Sequence, residues 1–190
     1  MTTFNIFIAG VGGQGTVLAS KLISLAAMRR GLNARTTEFI GMAQRGGSVF
    51  GHVRLGKEIF SPFVPIGGAH AVIAFEPSEA VRHLPYLSSE GTLIVCDSAV
   101  NPITGSYDVG AVMEYLKHNV PKLIVVHGQP IKDHCAKTLN VALLGAAVQS
   151  GIFPFDPGDL LKVISKLPRF KEENLASFNL GRRMYDERVS

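Results

Sequence analysis

Cysteine is scarce in this 190-residue chain, which holds only Cys96 and Cys135, far apart and without a CxxC or a Cys/His metal spacing. That excludes an iron-sulfur cluster held by four cysteines of this chain and fits a reducing compartment. Long hydrophobic runs are lacking too. No apolar stretch approaches the ~20 residues that span a bilayer, and the opening "MTTFNIFIAG" has neither the basic start nor the apolar core of a signal peptide. A soluble, cytoplasmic protein is expected. Charge is dilute: nineteen Lys and Arg against fifteen Asp and Glu give +4, spread along the chain, which points to neither nucleic acid nor membrane as a partner. Internal repeats and low-complexity linkers are missing as well. With 46% hydrophobic and 18% charged residues, a single domain over 1–190 is expected, built on one core.

What is present is a rhythm of short β-branched runs: "FNIFIAG" (4–10), "ARTTEF" (34–39), "HAVIAFE" (70–76), "GTLIVCD" (91–97) and "KLIVVHG" (122–128). These read as buried strands. Segments of helical spacing lie between most of them, including 16–30, with Leu18, Leu22 and Leu25 on one face, and 109–118, with Asp108 as N-cap. The alternation predicts an α/β fold, Rossmann-like, with a mostly parallel sheet and helices on both faces. One segment departs from the rhythm. "GHVRLGKEIFSP" alternates around Gly56-Lys57 and predicts an inserted β-hairpin at an edge of the sheet. Beyond Gly151 only helices are expected, a C-terminal extension over about 152–190. It opens with Asp156-Pro157 as N-cap and first helical residue and continues through 170–188, with Phe170, Leu175, Phe178 and Tyr185 apolar.

Gly10, Gly12 and Gly15 form a GxGxxG between the first strand and the first helix, with Gly13 and Gln14 inside it. In that context one glycine permits the turn, one lets a ligand approach the backbone, one permits close helix packing, and the helix N-terminus attracts an anion. Glu38, 23 residues past Gly15 at the end of the second strand, stands where an acid would bind a ribose hydroxyl. A self-contained NAD(P)- or FAD-binding oxidoreductase is one reading; glycines serving only the strand-to-helix turn are another. The next loop points elsewhere. "GMAQRGGS" has no platform for an adenine, but Gln44, Arg45, Gly46, Gly47 and Ser48 offer a cation, polar side chains and N-H groups to a carboxylate, a phosphate or an acidic partner. Ligands of open α/β sheets bind at that carboxyl edge.

"GVGGQG" (10–15), "EFIGMAQRGGSVFGHVRLG" (38–56), "SP" (61–62), "FEPSEAVR" (75–82), "NVALLGAA" (140–147) and "ENLASFNLG" (173–181) together resemble the gamma-type domain of the 2-oxoacid:ferredoxin oxidoreductases, and look most like the small subunit of its indolepyruvate branch. The resemblance covers nearly the whole chain. It implies a subunit inactive alone, without a cofactor of its own, that completes an enzyme oxidising 2-oxoacids such as aryl pyruvates. Thiamine diphosphate with Mg and [4Fe-4S] clusters would sit on a large partner subunit, coenzyme A would take the acyl group, and ferredoxin would take the electrons. An isolated copy would be open to homo-oligomerisation through its uncovered interface. Gly10 to Gly15 match the family's first loop, and Glu38 and Gln44 to Ser48 its second, as ligand or partner-contact residues, with no catalytic acid or base among them. His70 stands where the family usually has an aspartate.

Other candidates are weaker on their residues. His134-Cys135 are neighbours on a helix and so point apart, with no third group to orient them. Asp97, His127 and His134 lie near strand ends and could meet at the carboxyl edge, but match no metal pattern. Lys171, Arg182, Arg183 and Arg188 read as a solvated or subunit-facing surface of the last helix.

Overall fold

A computed structural model describes residues 3–41, 46–100 and 105–189, with side chains of the last helix to 187. Six strands form one sheet: β1 (Phe4–Val11), β2 (Asn33–Ile40), β3 (Ser48–Gly56), β4 (Ala69–Ala74), β5 (Leu87–Cys96) and β6 (Leu123–Val126), in the order β2-β3-β1-β4-β5-β6. β4 lies parallel to β1, β5 to β4 and β6 to β5, whereas β3 is antiparallel to both β1 and β2. Reversing direction twice returns β2 to the sense of β1. β3 is thus the one strand running against the rest of the described sheet, which is mixed but mostly parallel.

The expected hairpin about Gly56-Lys57 does not form, and its first arm is not at an edge. That arm is β3, inserted between β1 and β2, and β2 takes the edge. The second arm fails because Pro62 and Pro65 cannot donate to a ladder. Residues 57–68 instead lie as an irregular loop over β2 and β3. Arg35 Nε donates to the Ile59 carbonyl (2.6 Å), Arg54 Nη1 to that of Ser61 (2.9 Å), and the Val64 N-H to His52 Nδ1 (3.1 Å).

The helices are α1 (Thr16–Arg29), α2 (Pro77–His83), α3 (Val109–Asn119), α4 (Gly128–Cys135), α5 (Leu139–Gln149), α6 (Pro157–Ile164) and α7 (Lys171–Val189). They cover both faces. Ile6, Ile8, Ile73 and Ile94 pack with α1, α5, α6 and α7 on one side; Phe7, Val72, Leu93 and Val95 pack with α2 and α3 on the other. Asp108 caps α3, its Oδ1 accepting the Ala111 N-H (3.1 Å), and Asp156 and Asp159 form a capping box on α6. α5 is buried from Leu139 through Val148, because it lies between the sheet and α7. Phe170 precedes α7 rather than belonging to it; it has φ 54° and stays exposed beneath Lys137.

The α5–α7 crossing is a backbone contact. A Cβ on Gly181 would stand 1.9 Å from the Ala142 carbonyl oxygen, and one on Gly145 would stand 2.3 Å from that of Phe178. Arg182 adds a tie, donating from Nε to Gln149 Oε1 (2.7 Å).

Candidate functional site

The glycine loop closes β1 onto α1 at the carboxyl edge. Gly15 is the N-cap of α1 at φ 80°, a left-handed geometry that only glycine adopts freely. A Cβ there would lie 2.4 Å from Asn140 Nδ2 of α5, which itself donates to the Gly15 carbonyl (3.2 Å). The third glycine of the motif therefore packs helix against helix, not helix against strand. Gln14 turns inward. Its Oε1 accepts the Val11 N-H (2.8 Å) beside Gly10, and its Nε2 donates to the Phe75 carbonyl (3.0 Å). Gly13 stands at the tip beside open space. No side chain caps α1, and no acid lies in its first turn, so its N-terminal N-H groups and dipole favour an anion.

The second loop meets the first. The Gly12 N-H donates to the Gly47 carbonyl (2.9 Å), which joins the two motifs by one backbone hydrogen bond. Gly46 leads into Ser48, the first residue of β3, whose hydroxyl donates to Glu79 Oε2 (2.5 Å). Gln44 and Arg45 lie outside the described residues. Gly12, Gly13, Gly15, Thr16, Val17, Ile40 and Val49 line an open cleft of about 410 Å3 at this junction. Glu38 does not occupy the position a ribose-binding acid would take. It pairs with Gly51 of β3, two strands from β1 and so about 10 Å sideways in sheet spacings, and its stem lies 3.5 Å from where a Gly51 Cβ would be.

Beneath the loops, residues 75–79 gather three connections. Glu76 is buried and receives hydrogen bonds from the Tyr107 hydroxyl, the Ser78 hydroxyl (2.5 Å) and the Glu79 N-H (3.0 Å). Tyr107 is pushed well above the ordinary phenol range by burial and by Glu76, so it stays a donor. Glu79 is also buried. Arg82 Nε stands 3.2 Å from Oε1, and His83 Nε2 approaches Oε2 to 3.4 Å, off the line of a hydrogen bond. Burial pulls the Glu79 carboxyl upward, but His83, Ser48 and Arg82 outweigh it, and it sits below the usual carboxylate range. His52, buried and near His83, is held below the ordinary imidazole value.

Asp97 and His127 do meet at the carboxyl edge. Asp97 Oδ2 lies 2.6 Å from His127 Nδ1, and its Oδ1 accepts the Gly128 N-H (2.8 Å). His134 is exposed on α4, and no group of three or more metal-ligating side chains exists among the described residues. A larger hollow, about 580 Å3, opens at the opposite, amino edge between Phe4, His70, Glu90, Lys122 and Tyr185. His70 stacks on Phe4 at 4.9 Å and accepts the Asn5 N-H at Nδ1 (2.9 Å), which makes it part of the scaffold there.

Glu76, Glu79, Tyr107 and His83 are the residues that sequence reasoning did not single out. The signal for the two acids was their i, i+3 spacing around Pro77 just after a strand that is apolar apart from His70. Such acids stand at a helix start and on the carboxyl edge together.

Comparison with known proteins bears on the whole chain. Residues 5–184 match the pyruvate ferredoxin/flavodoxin oxidoreductase family. An indolepyruvate oxidoreductase subunit IorB from Pyrococcus horikoshii is 33% identical over 198 residues, covering 95% of each chain. The gamma subunit of a keto/oxoacid ferredoxin oxidoreductase from Geobacter sulfurreducens superimposes with a TM-score of 0.73 at 20% identity, covering 98% of both. A 2-oxoglutarate:ferredoxin oxidoreductase from Magnetococcus marinus, solved with 2-oxoglutarate, coenzyme A and succinyl-CoA bound, contains the same fold within a longer chain: TM-score 0.72 at 18% identity, over 98% of this chain and 32% of that one.

Proposed function

The chain belongs to the pyruvate ferredoxin/flavodoxin oxidoreductase family, and on that premise we propose that it is the small subunit of an indolepyruvate:ferredoxin oxidoreductase. The complete enzyme decarboxylates aryl pyruvates oxidatively to acyl-CoA and passes the electrons to ferredoxin. The observation that carries this reading is the Gly12 to Gly47 hydrogen bond, which joins the glycine loop to the described end of the second loop, Gly46 to Ser48, at the carboxyl edge.

Iron-sulfur clusters do not fit this chain. Cys96 is buried, its thiol pushed up to about 11 by burial, and only Cys135 remains as a second ligand. The clusters are assigned to a large partner subunit, together with thiamine diphosphate and Mg. Thiamine diphosphate supplies the electron sink for decarboxylation. The contribution of this chain is to bind and orient. The uncapped N-terminus of α1 and the N-H groups of Gly13 and Gly46, with Gln44 and Arg45 preceding Gly46 in the sequence, offer positive potential to an anionic group at the subunit junction. Gln14 and Gly15 shape that loop from within, and Ile40 and Val49 bound the cleft on the β2–β3 side. A diphosphate, a substrate carboxylate or coenzyme A has the required charge.

Co-expression with the large thiamine and iron-sulfur subunit tests the proposal. The two chains co-purify and reduce a viologen or ferredoxin when given indolepyruvate and coenzyme A; a chain that stays alone overturns it. Calorimetric titration of the isolated chain with NAD, NADP and FAD shows no stoichiometric binding, whereas tight binding would restore the dinucleotide reading. Arg45→Ala leaves assembly intact and lowers turnover by about tenfold or more.

A further inference from the structure

The segment Phe75 to Glu79 touches three loops of the carboxyl edge through side chains or carbonyls that face inward. The Phe75 carbonyl holds Gln14 of the glycine loop, Glu76 holds Tyr107 of the β5–α3 connection, and Glu79 holds Ser48 at the end of the second loop. An ionised carboxylate only accepts, so each oxygen must be filled by donors or carry a buried, unsatisfied charge. Here the donors come from the loops themselves. Glu76 is 1% exposed and Glu79 3%, which leaves no water shell to compete for those hydroxyls. Loop register and carboxylate satisfaction are therefore one condition: a loop that lifts away strands a buried charge.

We propose that Glu79, supported by Glu76, is a positioning residue that fixes Ser48, and through Ser48 and Gly47 the glycine loop, in the register needed to present an anion site. Glu79 touches neither substrate nor cofactor. It acts through Ser48, whose hydroxyl it accepts at 2.5 Å. Ser48 is bound into β3 opposite Val11 of β1, one residue from the Gly47 carbonyl that takes the Gly12 N-H. The chain of contact from Glu79 to the glycine loop is thus three residues long. Arg82 Nε holds the other carboxylate oxygen, Oε1, at 3.2 Å, while His83 stands beside the Oε2 that Ser48 uses, so Arg82 anchors the carboxylate independently of Ser48. The direction of control runs from helix α2 to the loops.

This inference rests on the oxidoreductase reading for its effect on turnover but not for its effect on the loops, and two measurements keep them apart. In the isolated chain, amide hydrogen exchange of Gly12 is followed in Ser48→Ala, Glu79→Ala and Glu79→Gln. Ser48→Ala and Glu79→Ala accelerate it at least tenfold, with the amides of the buried strands β4 and β5 unchanged. Glu79→Gln, which keeps an acceptor for the Ser48 hydroxyl, returns it to within about threefold of the parent. In the enzyme assembled with the large subunit, Ser48→Ala and Glu79→Ala each lower kcat/KM about tenfold at undiminished co-purification. The double variant is no worse than Glu79→Ala alone, because both changes break one link. Unchanged Gly12 exchange in both Ala variants overturns the proposal whatever the activity, as does a double variant whose loss is the product of the two single losses. If the parent complex neither assembles nor turns over, the functional reading fails and the exchange result still decides this one.

Discussion

At the scale of single residues, the buried carboxylate of Glu79 has a consequence for acid stability. Its folded-state affinity for a proton is below the ordinary carboxyl value of 4.5, so it contributes stability that is present above that value and is lost as the pH falls through the lower, folded one. Urea unfolding between pH 3 and 6 shows a falling acid limb for the parent chain, and Glu79→Gln flattens that limb. The two thiols diverge for a related reason. Cys96 is fully buried, its thiol raised to about 11, while Cys135 is partly accessible at the end of α4. Under native conditions at pH 8, iodoacetamide modifies Cys135 and leaves Cys96 intact until the chain unfolds, which peptide mass mapping reads directly. These residues show where sequence reading was strong and where it failed. Asp97 and His127 were placed correctly at the edge, because strand ends fix where the next residue stands. Gln14 was read as a ligand or partner contact, whereas its amide turns back to β1 and Phe75, a direction that depends on what lies 61 residues away.

Helix boundaries were the most legible elements because caps are local chemistry. Asp108 and Asp156-Pro157 mark the starts of α3 and α6 within a few residues of sequence, and the structure uses both. The strand partners were not legible in the same way. Alternation in "GHVRLG" announces a strand but says nothing about its neighbours, and β3 found two, β1 and β2, in place of a hairpin partner beyond Gly56. The displacement of Glu38 follows from that insertion and could not be read without the strand order. The α5–α7 contact was equally hidden, since nothing in "GAA" or "NLG" states that two backbones touch. It carries a clear expectation. Gly181→Ala forces α7 off the Ala142 carbonyl and destabilises the chain by about 3 kcal/mol, measured by chemical denaturation, with α7 the first element to lose exchange protection.

For the molecule as a whole, the two edges of the sheet differ. β6 is four residues long, whereas β2 runs for eight with Phe39 and Ile40 exposed, and Phe60, Phe63 and Ile66 stand in the loop that crosses β2 and β3. Phe60 is 92% exposed and Ile66 76%, more apolar surface in one region than a free-standing chain usually shows. The isolated subunit associates with itself as its concentration rises, and Ile40→Lys combined with Phe60→Ser shifts it to monomer in sedimentation velocity. No described helix is long and apolar enough to cross a membrane.

The insertion of β3 also sets an order of events during synthesis. β1 leaves the ribosome first but lies in the middle of the sheet, and its native neighbours, residues 48–56 and 69–74, come much later. The strand made next, β2, is one that β1 does not pair with in the finished fold. At ~5–20 residues per second, Ile6 to Ala9 wait roughly 2–9 s with both edges bare, beside a parallel, β-branched competitor. Early β1–β2 pairing is the trap that the nascent chain must avoid until β3 arrives to separate them.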